Sequence, residues 1–175
     1  LEKPIDVNVF KREIEKIFHF QSEQQPSDAK KPNENSSVKD SYNFKGLKVL
    51  LVEDVEMNQE LAKEILSKQG VLVSIANNGQ EGADKAKRGR FDFVLMDMQM
   101  PVMDGCESTR EIRTFNQELP IIAMTANAMA EDKKKCFDAG MNDYITKPID
   151  DNALFSAILR RVNGIEKLEG VEDFE

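Results

Sequence analysis

Short runs of consecutive apolar residues alternate along this chain with longer stretches in which apolar residues recur every three or four positions. The runs fall at 48–52, 71–76, 93–96, 121–124 and 143–146, and each is four to six residues long. Continuous apolar runs of that length fit strands covered on both faces rather than strands with one face in water. Between them, Leu61, Ala62, Ile65 and Leu66 repeat at helical spacing before a Gly70 stop, and Leu154, Phe155, Ile158 and Leu159 form a similar stripe. Strand and helix patterns taking turns in this way predict repeated βα units on a parallel sheet. Five of each predict an α/β, doubly wound, open sheet, with right-handed crossovers limiting the connections.

The pattern stops on both sides of this region. Residues 21–45, which include QSEQQPSDAKKPNENSSVKDSY, carry almost no apolar residues and read as a polar linker. Residues 165–175 are acidic and aperiodic, the character of a tail or of a following linker. That leaves 46–164 as the folded domain. Residues 1–18, LEKPIDVNVFKREIEKIF, align without gaps on 145–162, ITKPIDDNALFSAILRRV, and share the tetrapeptide Lys-Pro-Ile-Asp. Residues 1–20 are therefore expected to be the last strand end and C-terminal helix of a preceding repeat of the same domain.

The polar residues that close the apolar runs change the picture from fold to chemistry. Glu53 and Asp54 follow KVLLV, Asp97 follows FVLM, Thr125 follows IIAM and Lys147 follows YIT. In an open parallel sheet ligands bind beyond the carboxyl ends of the strands, so these groups should converge. Two carboxylates about 4 Å apart repel by roughly 4 kcal/mol at an effective dielectric near 20, and three together call for a cation. Hard oxygen donors select Mg²⁺, with Mn²⁺ as the alternative, and an incomplete carboxylate shell leaves room for water and a phosphate oxygen. Asp97 is then the candidate nucleophile toward phosphorus, with Lys147 and the Thr125 hydroxyl placed to neutralise and orient phosphoryl oxygens.

Composition narrows the partners. The 175 residues carry 24 Lys and Arg against 32 Asp and Glu, a net charge of −8, which disfavours nucleic acid. Cys106 and Cys136 are not in metal-ligand spacing and read as free thiols of a reducing compartment. No apolar stretch approaches the ~20 residues that span a bilayer, so no membrane contact and a cytoplasmic location are expected. His19, the single histidine, sits in IFHFQ, where nothing supports a phosphotransfer role.

The blocks VEDVEMNQ, VLMDMQMPVMDG, IIAMTANAM and AGMNDYITKPID, spread over 48–162, resemble the receiver domain of two-component response regulators, the CheY-like phosphoacceptor module. The form is similar to that found in hybrid histidine kinases and tandem-receiver regulators. The resemblance implies a flavodoxin-like strand order of 2-1-3-4-5. It also implies that Glu53, Asp54, Asp97 and the Gln99 backbone carbonyl hold Mg²⁺ and that Asp97 is phosphorylated. Lys147 would contact the phosphoryl oxygens, Thr125 and Tyr144 would form a switch pair, and Pro148 would follow a cis bond. The implied partner is a histidine kinase or histidine phosphotransfer domain, with further receiver or kinase domains in a longer parent chain. Such a module is a signalling switch, not a stand-alone turnover enzyme. Val55 departs from the Asn or Asp frequent after the acidic pair, but a side chain there is not a ligand in the core mechanism. Asp104 is expected to cap a helix rather than to bind metal.

Two other classes remain for comparison. A degenerate receiver would keep the fold and bind partners without phosphorylation. A phosphatase of the haloacid-dehalogenase type would also use a strand-end aspartate, but resembles D-x-D where this chain has Asp97-Met98-Gln99.

Overall fold

The computed structural model describes Lys39 and residues 42–167; the expected repeat at 1–20 lies outside the described residues. Among the described residues, the main sheet contains β1 (Lys48–Val52), β2 (Leu72–Ala76), β3 (Phe93–Asp97), β4 (Ile121–Thr125) and β5 (Asp143–Thr146). All neighbours are parallel and their order is β2-β1-β3-β4-β5, as the resemblance implied. The intervening helices are α1 (Glu56–Lys68), α2 (Gly79–Arg88), α3 (Gly105–Phe115), α4 (Ala130–Ala139) and α5 (Asp151–Arg161).

Alternate residues of each strand feed two separate apolar layers, which is why the central strands read as unbroken hydrophobic runs. Val49, Leu51, Phe93, Leu95 and Met124 pack against α1 and α5, while Leu50, Val52, Val94, Met96 and Ala123 pack against α2, α3 and α4. β2 is the exception: Leu72 and Ser74 are exposed because this strand lies at the sheet edge. It also starts one residue later than the apolar run, since the Val71 N–H donates to the Leu66 carbonyl at the end of α1.

The register carries the site. Val52 pairs with both Ala76 and Met96, so Glu53 and Asp97, the next residues, leave the sheet side by side. Asp97 pairs with Met124 and Thr125 with Thr146, so both candidate residues are the last residues of their strands rather than the first of the loops.

The folded unit reaches beyond 46–164. Tyr42–Asn43 and Glu166–Lys167 pair antiparallel, and Phe44, 1% exposed, stacks on Phe155 of α5 with ring centroids 4.7 Å apart. Tyr42 and Ile165 pack on the same layer, and Lys39 Nζ lies 2.7 Å from Asp151 Oδ2 at the start of α5. Two aromatic rings, Tyr42 and Phe44, in a mostly polar stretch thus anchor the end of the apparent linker to the core.

Candidate functional site

The carboxyl ends of β1, β3, β4 and β5 form one cleft of about 420 Å³, lined by Asp54, Asp97, Gln99, Thr125, Ala126 and Lys147, among others. Lys147 is brought in by its N–H, which donates to the Thr125 carbonyl at 2.8 Å, and the Lys147–Pro148 bond that follows is cis. Its ammonium donates to Glu53 Oε2 at 2.8 Å and lies 3.1 Å from Asp97 Oδ2. Glu53 is 1% exposed and Asp97 5%, whereas Asp54 is open to solvent. One carboxylate oxygen from each of Glu53, Asp54 and Asp97 lies within 4.8 Å of the others. Hard oxygen donors, buried on one side and open on the other, fit a divalent cation that retains waters. The Glu53 oxygens accept from Lys147 and from the Val55 N–H at 3.1 Å, which still leaves lone pairs for a cation.

Electrostatics separate the two buried acids. Burial first, then the charge of Glu53, raises the Asp97 carboxyl to about 6 despite Lys147. Burial also acts to raise Glu53, but the Lys147 ammonium and the Val55 N–H outweigh it and hold that carboxyl below its ordinary value. Burial would lower Lys147; its bonds to Glu53 and Asp97 prevail and raise it. At neutral pH the site is therefore two buried carboxylates sharing one ammonium, with a net negative charge.

Gln99 approaches Asp97 Oδ1 through its N–H at 3.4 Å. The Thr125 hydroxyl is in the cleft but engaged locally, donating to the Asn127 carbonyl at 2.8 Å and accepting from its N–H at 3.2 Å. Tyr144 does not line the cleft. It is half-buried against the second apolar layer, with Lys133 Nζ 4.9 Å from its ring centre. Neither thiol is activated: burial raises Cys106 and pushes Cys136 up to about 11, where its sulfur lies 3.4 Å from that of Met98.

Asp104 caps α3 as expected. Its carboxylate accepts from the Glu107 N–H at 2.8 Å, and the Glu107 side chain accepts from the Asp104 N–H at 3.1 Å. Asp104→Ala should therefore cost about 1–2 kcal/mol in urea unfolding while leaving cation affinity nearly unchanged. A large loss of cation affinity at little cost in stability would make Asp104 a ligand instead.

Two parts of the site were not marked by a motif in the sequence: the far wall of the cleft and a buried amide beneath it. The cleft extends between α3 and α4 to Cys106, Asp132 and Lys135, helix residues with no distinguishing motif. Gln59, 7% exposed, donates to the Glu53 carbonyl at 2.6 Å. Its signal was available: Gln59, Ala62 and Leu66 share the buried stripe of α1, so an amide stands where an apolar residue belongs.

Residues 49–159 match the response regulator receiver domain family. Hybrid signal transduction histidine kinase I of Dictyostelium discoideum is 42% identical over 120 residues, 63% of this chain and 7% of that protein. Transcription factor SKN7 of Saccharomyces cerevisiae is 37% identical over 134 residues, 74% of this chain and 22% of that protein. The chain thus spans a small part of these curated relatives. Among solved structures, the receiver domain of sensor histidine kinase PA1611 of Pseudomonas aeruginosa, which has a magnesium ion coordinated in its active site cleft, is 40% identical. It superposes with a TM-score of 0.64 over 68% of this chain and 99% of that one. The receiver domain of Saccharomyces cerevisiae Ssk1, solved with the histidine phosphotransfer protein Ypd1, is 34% identical with a TM-score of 0.64, covering 68% and 90%.

Proposed function

This chain belongs to the response regulator receiver domain family, and on that premise we propose that it is a phosphoacceptor switch in a His-to-Asp relay, with Asp97 as the acceptor. The observation that carries the reading is the placement of one lysine, Lys147, within 3.1 Å of Asp97 and 2.8 Å of Glu53 in an open carboxylate cleft. A carboxyl group near 6 is mostly ionised at neutral pH and is available as a nucleophile.

In the transfer, an Asp97 carboxylate oxygen forms a bond to phosphorus as the bond from phosphorus to the donor imidazole nitrogen breaks. The nitrogen leaves with the bonding pair, into a ring protonated at its other nitrogen, and Asp97 becomes an acyl phosphate. Lys147 is placed to leave Asp97 and follow the new negative charge onto the phosphoryl oxygens. The Thr125 hydroxyl exchanges its local bond with Asn127 for a phosphoryl oxygen, and Tyr144 packs inward behind it as the conformational readout. Glu53, Asp54, Asp97 and the Gln99 carbonyl would hold Mg²⁺, or Mn²⁺ in its place. A divalent cation held by these residues would supply positive charge to neutralise the phosphoryl oxygens.

The magnesium site of the PA1611 receiver and the Ssk1–Ypd1 complex support the same cation and the same kind of partner here, a histidine phosphotransfer or kinase domain. The parent is either a hybrid kinase or a tandem-receiver regulator, and the switch works in the cytoplasm without turnover of its own. Among the described residues, no helix is long and apolar enough to cross a membrane.

Incubation with acetyl phosphate or a phosphorylated histidine donor and Mg²⁺, followed by intact mass, should add one phosphoryl group to the wild type and none to Asp97→Asn. A wild type that takes up no phosphoryl group and binds no beryllofluoride overturns the proposal and favours the degenerate receiver.

A further inference from the structure

The acidic pair leaves β1 on a backbone that is held from the side by a chain of amides. Gln59 Nε2 donates to the Glu53 carbonyl at 2.6 Å and to Asn77 Oδ1 at 3.0 Å. Asn77 follows β2, so a single side chain on α1 ties together the exits of two adjacent strands. Asn77 in turn donates to Glu81 Oε2 through its N–H at 3.0 Å and its Nδ2 at 3.2 Å. Glu81 is fixed on α2 by Lys85 at 2.9 Å and by its own N–H to Asn78 Oδ1 at 2.9 Å.

The direction of this chain admits one arrangement. A peptide carbonyl and a carboxylate can only accept, so Gln59 must turn its nitrogen to Glu53 and Asn77 must turn its nitrogen to Glu81. The Asn77 oxygen is then left for the second Gln59 hydrogen, and each of these donors and acceptors acts in its proper sense. A buried amide at a stripe position of α1 forgoes apolar packing, and what it gains is a fixed Glu53 peptide.

Building on the cation site proposed above, we propose that Gln59 is a positioning residue for the cation. By holding the Glu53 carbonyl it sets the plane of the Glu53–Asp54 peptide, and with it the directions in which the two carboxylates leave the strand. Asn77 and Glu81 keep the amide aimed. Cation affinity depends on such aiming, because a cation with rigid oxygen geometry tolerates little error in ligand direction.

The test is Mg²⁺ titration by calorimetry of the wild type, Gln59→Met and Asn77→Ala, with thermal melting of each protein in the absence of cation. Methionine keeps the volume of Gln59 and removes both donors; Asn77 is exposed, so its truncation spares the core. Gln59→Met should bind Mg²⁺ about 10- to 100-fold more weakly. Asn77→Ala should show a smaller loss in the same direction, with its melting temperature close to wild type. A folded Gln59→Met that melts lower but binds Mg²⁺ as the wild type does would make Gln59 a structural residue and overturn the inference. Should Gln59→Met not fold, wild-type affinity in Asn77→Ala overturns it equally. A wild type that binds no Mg²⁺ would instead remove the cation site itself, and the inference with it.

Discussion

Asp97→Asn is expected to be more stable than the wild type at neutral pH, by about 1–3 kcal/mol, although it removes half of an ion pair. Asp97 and Glu53 are both buried and share the single ammonium of Lys147. The native state therefore holds a carboxylate that it would rather keep protonated, as the rise from 3.8 to about 6 records. A difference of that size corresponds to about 3 kcal/mol when the group is fully ionised in both states. The gain is smaller than this limit because Lys147 loses one of its two partners in the variant.

The sign follows from which state binds the proton more tightly. Between about pH 4 and pH 6 the unfolded Asp97 has already ionised while the native one is still protonated, so the native state carries the excess proton and its stability falls as pH rises. Above about pH 6 the penalty is complete and constant. Asparagine does not titrate, so the stability difference between variant and wild type should be small at pH 4, open through that window and level off above it. Urea unfolding at a series of pH values measures this directly. A variant less stable than the wild type at pH 7, or a difference independent of pH, would show that Lys147 more than neutralises the pair. Saturating Mg²⁺ should narrow the difference by stabilising the wild type, since a cation that binds only the folded cluster adds its binding free energy to the fold.

What the chain discloses before folding depends on whether a feature is periodic. The central strands β1, β3 and β4 are covered on both faces, so their residues between the ends are apolar and the runs were plain. Glu53, Asp97, Thr125 and Lys147 were visible because a polar residue closing such a run has nowhere to go but the sheet's end. The ribbon of Tyr42–Asn43 with Glu166–Lys167 was hidden for the opposite reason: two-residue strands have no period, and Tyr42 and Phe44 alone are too few to show one. Charge type alone likewise did not reveal how Lys147 divides itself between Glu53 and Asp97, because that depends on the parallel register of β1 against β3. The Thr125 hydroxyl, read as a phosphate-facing group, is bonded to Asn127 in a local turn that residue identity does not specify. Gln59 breaks the buried stripe of α1, but which carbonyl its amide holds became visible only in the structure.

Gly105→Ala is expected to be the most damaging addition of a single methyl group to the site, at about 3–5 kcal/mol. Gly105 opens α3 directly beneath the end of β3, and a Cβ there would lie well inside van der Waals contact of the Asp97 carbonyl oxygen and 3.0 Å from Met98 Cα. The atoms it would strike are backbone, so no rotamer change relieves the clash. Nor is the helix start free to retreat. The Gly105 N–H donates to the Met98 carbonyl at 3.2 Å, its own carbonyl accepts from the Thr109 hydroxyl at 2.7 Å, and the Asp104–Glu107 box fixes the preceding residue. Either α3 loses its first turn or the end of β3 moves, and in the second case Asp97 moves away from Lys147 and Glu53. Cation affinity should therefore fall together with stability, which distinguishes this variant from Asp104→Ala. Gly46→Ala supplies the contrast. Gly46 has a φ of 87° but nothing within 4 Å of a Cβ, so only the left-handed backbone resists substitution, at about 1–2 kcal/mol, with the site untouched. Urea unfolding and Mg²⁺ titration of both variants check the argument, and a Gly105→Ala protein as stable as Gly46→Ala would show that β3 and α3 can separate without cost.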